Sequence, residues 1–358
     1  MGDGAVTTVY LVRHAEAEGN LYRIAHGQYN GLITDRGYQQ LHVLKKRFDD
    51  VPIDAVYSSD LFRARTTARA VYEPKGLELH LEPAFREIHM GCWEGRPWQE
   101  LNTAYEEQMF YFNRQLDKFH VEGSETAQQV LDRYIPALQR VAAENDGKTI
   151  AVFSHGAAMR MVLGTLNGLP LSEVGETPHG DNTAVSLLEI DGDDIRVVYM
   201  NDNSHQVEAG LSTFAKQTWW RDKRMMSGGQ YYKDMDEATA ARFGVPAEGK
   251  RIAVWFENEP VGAVTLLPDK AGDAGWIGYY YLEPTMRGRN YGIPPLGQAV
   301  QFYRERGIDR LRLRCVDEQT RGFFAHYGFY PLEGDGREKY IGYEPREIVW
   351  SRDRNFCR

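Results

Sequence analysis

The sequence predicts an α/β protein with two domains. In the first half of the chain, three short apolar runs, TVYLV, DAVYSS and TIAVF, alternate with polar segments and helical patterns. Strands that alternate with helices form a mostly parallel sheet. The second half changes to neighbouring strand-like runs, RIAVWFE and PVGAVTLLP, joined by a turn. At 358 residues, the chain also exceeds what one hydrophobic core commonly organises, so a second domain is expected.

The first apolar run ends in the pair Arg13 and His14. Side chains at the carboxyl end of a strand lie where open α/β sheets bind their ligands. An arginine can hold a phosphate through a planar fork of donors, and a histidine can carry a proton or a lone pair near neutral pH. A single arginine–histidine pair is more commonly a surface feature that serves solubility. Its interpretation as a phosphate site therefore depends on further residues.

The two other strand ends supply those residues. After DAVYSS, Arg63 falls in the first turn of a helical pattern, near the end of a helix that attracts anions. After TIAVF, His155 and Gly156 precede another helical pattern. Between them, the run FREIHMGCWEG contains Glu87, whose carboxyl group is the candidate proton donor or acceptor. The sequence therefore predicts one cluster of cations, imidazoles and a carboxyl group at the sheet edge.

Five motifs occur in order within roughly the first two hundred residues: RHAEAEGN, ITDRGYQQ, SSDLFRARTTA, FREIHMGCWEG and SHGAAMR. In order and spacing they resemble the histidine phosphatase superfamily, in its phosphoglycerate-mutase-like branch. The resemblance implies a three-layer α/β/α domain with a mostly parallel sheet. The sequence departs from the family pattern at Ala15, where many members have glycine. This replacement of one small residue by another leaves the implied mechanism intact.

The resemblance also implies a role for each clustered residue. His14 would be the nucleophile and would form a phosphohistidine, while Glu87 would protonate the leaving oxygen and later deprotonate a water molecule. This scheme requires no metal ion. The substrate would be a small phosphorylated metabolite. Arg13, Arg63 and His155 would neutralise its phosphoryl oxygens, Asn20 would be an additional hydrogen-bond donor, and Gly156 would also contribute to substrate binding.

The same family contains phosphatases and mutases, which differ in whether water or a second phosphorylated substrate meets the phosphohistidine. Mutases usually carry a longer, proline-rich insertion after the WEG motif, whereas this chain continues with RPWQELNTAYEEQMFYFNRQLDKF, which has one proline. A phosphatase is therefore favoured, with a mutase as the alternative. The aromatic residues of this segment are predicted either to form a lid over the substrate or to pack on the sheet: Phe110, Tyr111, Phe112 and Phe119.

In the second half, the run TMRGRNYGIPPLGQ follows the strand-like GWIGYYYLEP and opens a helical pattern. Its glycines can bend the backbone so that several amides face an anion at the helix start. Alone, such a turn is more commonly a helix cap. With the later runs DRLRLRCV and EQTRGFFAHYG, it resembles the GNAT acyltransferase family over about Met235 to Arg358. Arg287 to Gly292 match the R-x-x-G-x-G/A pyrophosphate loop of that family.

The GNAT resemblance implies a smaller α+β domain with a mixed sheet and acetyl-CoA as its cofactor. Asn290 stands where the loop commonly has glycine, although asparagine tolerates left-handed backbone geometry well. Phe324 stands where many members have a tyrosine that protonates the CoA thiolate. Either another group acts, such as Tyr327 or the run Tyr279 to Tyr281, or the domain binds acetyl-CoA without transferring. The residues implied to bind the cofactor are Leu282, Arg287, Gly288, Arg289, Asn290, Tyr291 and Gly292.

Charge and cysteine content narrow the partners and the compartment. The formal net charge of −9 argues against nucleic acid or an anionic membrane as the main partner, because both need a basic face. The three cysteines are far apart, and the N-terminus has neither a basic start nor a long apolar run. A cytoplasmic protein without a disulfide framework is therefore expected.

The domain limits are predicted at residues 1–205 for the phosphatase domain, 206–234 for a linker and 235–358 for the GNAT-like domain. The polar run NDNSHQVEAG marks the boundary because it offers little to bury. Within the linker, Trp219 and Trp220 are adjacent and cannot share a face of a helix or strand. They are expected to pack either on one domain each or together within a single domain.

Overall fold

The computed structural model of the protein describes residues 5–216, 229–267, 272–288, 290–315, 317–343 and 346–350. Three residues that the sequence singled out, Trp219, Trp220 and Arg289, lie outside these ranges. Within them, no helix is long and apolar enough to cross a membrane. The described chain forms two β-sheets, one in each half.

The strands of the first half form one six-stranded sheet. They are β1 (Thr7–Arg13), β2 (Ala55–Ser58), β3 (Leu79–Leu81), β4 (Thr149–Ser154), β5 (Val185–Asp191) and β6 (Asp194–Asp202). Across the sheet their order is β3-β2-β4-β1-β5-β6. Strands β1 to β4 run parallel to one another, whereas β5 pairs antiparallel with β1 and β6. The predicted mostly parallel sheet is confirmed.

Helices connect these strands. The α-helices of this half are α1 (Glu18–Tyr22), α2 (Asp35–Phe48), α3 (Phe62–Lys75), α4 (Trp98–Ala104), α5 (Glu106–Arg114), α6 (Ala127–Ala143), α7 (Gly156–Leu166), α8 (Ser204–Glu208) and α9 (Thr213–Lys216). Short 3-10 helices cover Pro83–Phe85, Gly91–Trp93, Leu116–Lys118 and Val174–Glu176.

Helices cover both faces of the first sheet. Side chains alternate between the two faces along a strand. In β1, the buried Val9 and Leu11 join an apolar cluster with α6 and α7, whereas Val12 joins another cluster with α2 and α3. The predicted three-layer α/β/α arrangement is therefore confirmed.

The strands of the second half form a seven-stranded mixed sheet. They are β7 (Gln230–Asp234), β8 (Lys250–Phe256), β9 (Glu259–Leu267), β10 (Gly275–Leu282), β11 (Arg310–Arg314), β12 (Tyr330–Pro331) and β13 (Gly336–Tyr340). Their order is β12-β13-β11-β10-β9-β8-β7. The helices are α10 (Glu237–Phe243), α11 (Pro294–Arg304) and α12 (Glu318–His326), with a 3-10 helix at Pro284–Met286.

The central strands of this second sheet separate along their length. Strands β10 and β11 pair in parallel from Gly275 to Ile277, while the other neighbouring strands pair antiparallel. Strand β10 continues to Leu282 after the parallel pairing has ended. The smaller domain is therefore α+β with a mixed sheet, as predicted.

The two halves contact each other through α1 and α11. The guanidinium of Arg304 in α11 donates to both carboxylate oxygens of Glu18 in α1, each at 2.8 Å, and both side chains are 7% exposed. Gly297 of α11 faces Tyr22 of α1, where an added Cβ atom would lie 2.5 Å from the Cβ atom of Tyr22. Glycine at this position therefore allows the two helices to approach closely.

The segment assigned to the linker contacts both domains. The hydroxyl of Ser212 donates to the carboxylate of Asp181 in the first domain at 2.6 Å. Strand β7, which the sequence places inside the linker, instead pairs with β8 as the edge strand of the second sheet. The domain limits 1–205, 206–234 and 235–358 stay a prediction.

Candidate active site

The predicted residues of the first domain meet at the carboxyl edge of three neighbouring strands. Arg13 is the last residue of β1, and His14 follows it. Arg63 lies in the first turn of α3 after β2, and His155 caps the N-terminus of α7 directly after β4. Because β2, β4 and β1 are adjacent in the sheet, distant chain segments deliver these side chains to one place. The ring centroids of His14 and His155 are 5.4 Å apart.

The protonation state of His14 is set by a backbone carbonyl group. Its Nδ1 atom lies 2.7 Å from the carbonyl oxygen of Ala15, which can only accept, so Nδ1 carries the proton and Nε2 has a lone pair. His14 is 4% exposed. Burial, with the positive charges of Arg63 and Arg13, holds its pKa well below the usual value for histidine. His14 is therefore neutral at neutral pH and can act as a nucleophile through Nε2.

Two arginines place positive charge beside this imidazole. Arg63 is fully buried and donates to the carbonyl oxygens of Tyr29 at 3.0 Å and Gly27 at 2.7 Å. Burial lowers the pKa of Arg63 to about 10, so it stays charged at neutral pH. Arg13 donates to the carbonyl oxygen of Gly180. In both arginines the Nε atom is buried without a hydrogen-bond partner in the described chain, so each retains a donor for an anion.

His155 and Gly156 stand at the start of α7 beside these arginines. The Nε2 atom of His155 lies 2.8 Å from the hydroxyl oxygen of Ser59, and its Nδ1 atom is buried without a partner among the described residues. Burial and the charge of Arg63 hold the pKa of His155 well below its usual range. A Cβ atom on Gly156 would lie 3.0 Å from Nε of Arg13. Glycine therefore allows the guanidinium to pack against the helix start.

The carboxyl group of Glu87 is held by backbone amides, mostly at the start of α7. Its Oε1 atom accepts from the amides of Ala158 at 2.7 Å and Ile88 at 3.0 Å. Its Oε2 atom accepts from the amide of Ala157 at 3.0 Å. The first turn of a helix presents amides without intrahelical partners. This contact therefore fixes Glu87 next to His155, which caps the same helix.

Two asparagines hold the backbone around His14. Asn20 accepts from the amide of Ala17 through Oδ1 at 3.0 Å, which leaves its NH₂ group as the donor expected from the sequence. Asn182 and the amide of Thr183 both donate to the carbonyl oxygen of His14, at 3.0 and 3.3 Å. Asn182 is not among the residues predicted from the sequence. Its only signal was the polar run GDNT directly before an apolar strand.

His26 is a further imidazole of the cluster that the sequence analysis missed. Its Nε2 atom accepts from the amide of Gly19 at 2.7 Å, so Nδ1 carries the proton. Burial and the charge of Arg63 hold its pKa well below the usual value. No sequence signal marked it, because it does not follow a predicted strand. His26 thus joins His14 and His155 as a neutral imidazole close to Arg63.

A cavity of 280 Å³ opens beside this cluster, between the two domains. Its lining includes Arg13, Asn20 and Asn182 of the cluster. Other walls come from α1, α4, α5, α9, the segment before β5 and the second domain. They include Tyr22, Trp98, Gln99, Met109, Phe112, His179, Phe214, Gln230, Tyr232 and Pro294.

Of the four aromatic residues predicted as a lid or as packing, Phe112 lines this cavity. It also packs against Trp98, with ring centroids 5.7 Å apart. Phe119 is 1% exposed and belongs to the core, whereas Phe110 is 53% exposed and Tyr111 is half-buried. The segment therefore packs on the domain and contributes one aromatic wall to the cavity.

Comparison with known proteins identifies the family of this domain. A family model described as the histidine phosphatase superfamily (branch 1) matches residues 9–203. The chain belongs to the histidine phosphatase superfamily. It is similar to the probable phosphoglycerate mutase GpmB of Serratia proteamaculans, at 34% identity over 166 residues, covering 45% of this chain and 75% of that one. The GpmB of Yersinia pestis is 32% identical over 162 residues, with the same two coverages.

Solved structures share the fold of this histidine phosphatase domain. Bacillus stearothermophilus YhfR aligns over 56% of this chain and 98% of its own length, with 28% identity and a TM-score of 0.54. A mycobacterial glucosyl-3-phosphoglycerate phosphatase aligns over 55% of this chain and 100% of its own, with 20% identity and a TM-score of 0.51. The second likeness shows the fold alone.

A second family model, that of the acetyltransferase (GNAT) family, matches residues 215–329. The predicted fusion of a histidine phosphatase domain with a GNAT domain is therefore confirmed. The match begins before Met235, where the sequence analysis places the start of the resemblance. This agrees with the pairing of β7 into the second sheet.

Two residues of the predicted pyrophosphate loop have a left-handed backbone. Gly288 and Asn290 have positive φ angles of 73° and 62°, so the asparagine takes the left-handed conformation expected of it. The amides of Asn290 and Gly292 form no hydrogen bond with other described residues, and they precede α11. Tyr291 is buried, and its ring packs against Phe256. The amides of Asn290 and Gly292 are therefore available as donors to an anion.

Other parts of the predicted cofactor site carry internal contacts. Arg287 donates through Nε to the carbonyl oxygen of Leu282 at 2.8 Å, at the strand end expected to pair with the pantetheine arm. The hydroxyl of Tyr280 donates to the carbonyl oxygen of Gly292. Phe324 is 2% exposed and packs against Tyr280, and its ring has no proton to donate. The arrangement supports anion binding more directly than acyl transfer.

Proposed function

We propose that the N-terminal domain hydrolyses a small phosphate monoester, with Nε2 of His14 as the nucleophile. The observation that carries this proposal is the 2.7 Å contact between Nδ1 and the carbonyl oxygen of Ala15, because it leaves the lone pair on Nε2. Nε2 attacks phosphorus, so that a P–N bond forms and the P–O bond to the alcohol breaks. Water then attacks the phosphohistidine, which releases phosphate and restores the lone pair.

Glu87 is proposed to move the protons of both steps. In its protonated form it gives a proton to the leaving oxygen as the P–O bond breaks, and its carboxylate then takes a proton from the attacking water. Backbone amides of Ala157, Ala158 and Ile88 hold the carboxyl group. A group held in this way needs little rearrangement before it transfers a proton.

Arg13 and Arg63 are proposed to stabilise the charge that develops during transfer. The transferring phosphoryl group spreads negative charge over three oxygens. Both guanidinium groups are already held by backbone carbonyls and keep a buried Nε donor without a partner in the described chain. They therefore stabilise the transition state without reorganising. Asn20 and His155 provide further hydrogen-bond donors. Gly156 has no Cβ atom and so leaves space for the Arg13 guanidinium.

The phosphatase proposal is tested with a panel of phosphate monoesters and the variant His14→Ala. We expect phosphate release to fall by about three orders of magnitude or more, because the covalent step is lost. Wild type quenched during turnover should carry acid-labile phosphate. His120→Ala is the matched control, since His120 is exposed and lies outside the cluster. Equal phosphate release from wild type and His14→Ala would contradict the phosphohistidine scheme.

A mutase is the second candidate for this domain, because relatives about one-third identical are named probable phosphoglycerate mutases. In that case the phosphohistidine would pass its phosphoryl group to a second phosphorylated acceptor, and water would be excluded. Incubation with 3-phosphoglycerate that carries its label in the phosphate group separates the two activities. Label appearing in 2-phosphoglycerate favours the mutase, and label appearing in free phosphate favours the phosphatase.

For the GNAT domain we propose acetyl-CoA as the ligand, held by the loop from Arg287 to Gly292. The amides of Asn290 and Gly292 would bind its diphosphate. When bound, the cofactor would supply an activated acetyl group for transfer to an amine. Asn290 also lines a cavity of 490 Å³ between the domains, which leaves space beside the loop for the rest of the nucleotide.

A noncatalytic, regulatory role of this domain is the alternative, and the tyrosines favour it. Phe324 has no hydroxyl, and the hydroxyls of Tyr279 and Tyr280 already donate to the carbonyl oxygens of Phe243 and Gly292. Tyr327 lines the 490 Å³ cavity and, with Tyr281, stays a candidate to act in place of Phe324.

Calorimetry with acetyl-CoA tests the ligand, and a thiol assay for free CoA with candidate amines tests the transfer. Asn290→Val should weaken binding about tenfold or more, because a β-branched residue disfavours the φ of 62°. Asn290→Gly is the matched control and should bind as wild type does, because glycine adopts positive φ freely. Equal binding by both variants would contradict the loop assignment. Binding without release of CoA would favour the regulatory role.

A further inference from the structure

The cavity beside His14 has walls from both domains, and polar residues from both line it. The lining includes Arg13, Asn182 and Gln99 of the first domain, and Gln230 and Tyr232 of the second. In the phosphatase scheme, Arg13 marks where the phosphate binds. The rest of the cavity is therefore available to the organic part of the ester.

Several polar atoms of this lining are buried and have no hydrogen-bond partner in the part of the chain that the structure describes. They are Nε of Arg13, Oδ1 of Asn182, Oε1 of Gln99, both amide atoms of Gln230 and the hydroxyl of Tyr232. Gln230 is 5% exposed and Asn182 is fully buried. Buried polar groups normally have partners, so this convergence on one cavity indicates a ligand that supplies them.

The strand register explains why Gln230 and Tyr232 face the cavity together. Side chains two residues apart lie on the same face of a strand, and both residues belong to β7. Tyr231, between them, points to the other face and donates its hydroxyl to the carbonyl oxygen of Glu257 at 2.9 Å. Gln99 of α4 contacts the chain just before β7, where a Cβ atom on Gly229 would lie 2.7 Å from the Cβ atom of Gln99.

The unpaired atoms define the chemistry of the ligand. Gln230 offers a donor and an acceptor, the hydroxyl of Tyr232 offers both, and Asn182 offers an acceptor. Alcohol hydroxyls can satisfy donors and acceptors alike. Trp98 and Phe112 add apolar surface for a carbon skeleton. The volume of 280 Å³ lies just below the usual range for drug-sized ligands, so the organic part is compact.

We propose that the C-terminal domain completes the substrate site of the phosphatase, with Gln230 and Tyr232 binding the hydroxyl groups of a compact, polyhydroxylated phosphate monoester. This inference rests on the proposed phosphatase function, and it adds the substrate class and a second-domain contribution. The GNAT domain then contributes to the substrate specificity of the first domain. This contribution does not depend on whether the GNAT domain binds an acyl-CoA or transfers its acyl group.

The test compares two substrates in matched variants. Glycerol, pentose and hexose phosphates are screened first, and the best of them is compared with p-nitrophenyl phosphate, which has no alcohol hydroxyl. For Tyr232→Phe and Gln230→Leu, we expect kcat/KM to fall roughly three- to tenfold more for the hydroxylated ester than for the nitrophenyl ester, as loss of a neutral hydrogen bond predicts. Tyr231→Phe removes a hydroxyl from the opposite face and should leave both values unchanged.

Equal losses on both substrates, or no loss on either, would overturn the proposal. Hydrolysis of p-nitrophenyl phosphate without any activity on the hydroxylated panel would overturn the substrate class alone. If wild type hydrolyses nothing, the proposed function fails. Calorimetry of wild type, Tyr232→Phe and Gln230→Leu with hexose 6-phosphate then tests the site by itself. Weaker binding by the variants supports it, and unchanged binding or no binding to wild type overturns it.

Discussion

The proposed sites of this protein lie at the starts of α7 and α11, and the two helix starts are built in different ways. At α7 the first amides are occupied by the carboxyl group of Glu87, and buried charged and imidazole side chains surround them. At α11 the amides of Asn290 and Gly292 are without partners among the described residues. In the proposed functions, the first region moves phosphoryl groups and protons through side chains, whereas the second binds an anion through backbone donors.

This difference determines how each region should respond to substitution. Side-chain chemistry is lost when one group is replaced. A site made of backbone amides survives a side-chain replacement as long as the φ angle is kept. Asn290→Gly keeps this angle, whereas Asn290→Val disfavours it. The following substitutions and conditions extend the contrast, beginning with the largest expected effect.

Removing one buried cation should disable the first region. Arg63→Met should lower kcat/KM by about a thousandfold, because a preorganised charge is worth about two to three orders of magnitude in a closed site. Steady-state kinetics on the best phosphate ester measures the loss. Arg65→Ala, on the same helix, is the control and should stay near wild type. Binding of acetyl-CoA should be unchanged in Arg63→Met, and a parallel loss there would mean that the protein is misfolded.

Glu87→Gln separates proton transfer from phosphoryl transfer. The amide cannot protonate a leaving oxygen, so kcat/KM, which reports the steps up to formation of the phosphohistidine, should fall by roughly a hundredfold or more for alkyl phosphates. For p-nitrophenyl phosphate, whose leaving group needs no proton, the fall should be at least tenfold smaller. Glu122→Gln, at an exposed carboxylate, is the control. The same loss on both esters would show that Glu87 positions the site without acting as the acid.

Breaking the ion pair between Arg304 of α11 and Glu18 of α1 tests whether the contact between the two domains stabilises the protein and its proposed substrate site. Both side chains are 7% exposed, and breaking a buried pair leaves one charge without its partner, at a cost of about 3 kcal/mol. Arg304→Met should lower the unfolding temperature in calorimetry and raise KM for hydroxylated esters. The double variant Arg304→Met/Glu18→Gln should recover part of the stability. An unchanged unfolding temperature in Arg304→Met would mean that the pair does not stabilise the interface.

Acid should destabilise the first domain through its imidazoles. His14, His26 and His155 have pKa values held well below the usual one, chiefly by burial and then by Arg63. In the unfolded chain they titrate near about 6.5, so below that pH the unfolded state binds more protons. Stability then falls as pH decreases from about 6.5 towards the folded-state values, by about 1.4 kcal/mol per pH unit for each histidine.

Denaturant unfolding between pH 7.5 and 5.5 measures this slope. His26→Gln should reduce it by about one histidine's contribution, while His120→Gln, at an exposed position, should leave it unchanged. A slope that is the same in wild type and His26→Gln would contradict a buried, neutral His26.

Most residues of the His14 cluster could be predicted from the sequence, because they are arginine, histidine and glutamate side chains and most of them lie near the ends of predicted strands. Arg13, Arg63 and His155 each stand just past a strand or in the helix turn that follows it, and the parallel sheet order brings those ends together. The left-handed backbone at Asn290 agrees with the expectation that asparagine tolerates this geometry better than other non-glycine residues. In both cases a local property of one residue carried the information.

The sequence by itself determined the two folds, their families and the residue types of the proposed phosphate site. Tertiary structure alone decided the carbonyl partner of His14, the amides that hold Glu87, the contributions of Asn182 and His26, and the strand β7 that brings Gln230 and Tyr232 to the same cavity. The physical reason is that hydrogen bonds and burial depend on where distant segments pack. A pattern within one segment specifies its own conformation and its chemical groups, but not the groups that it will meet.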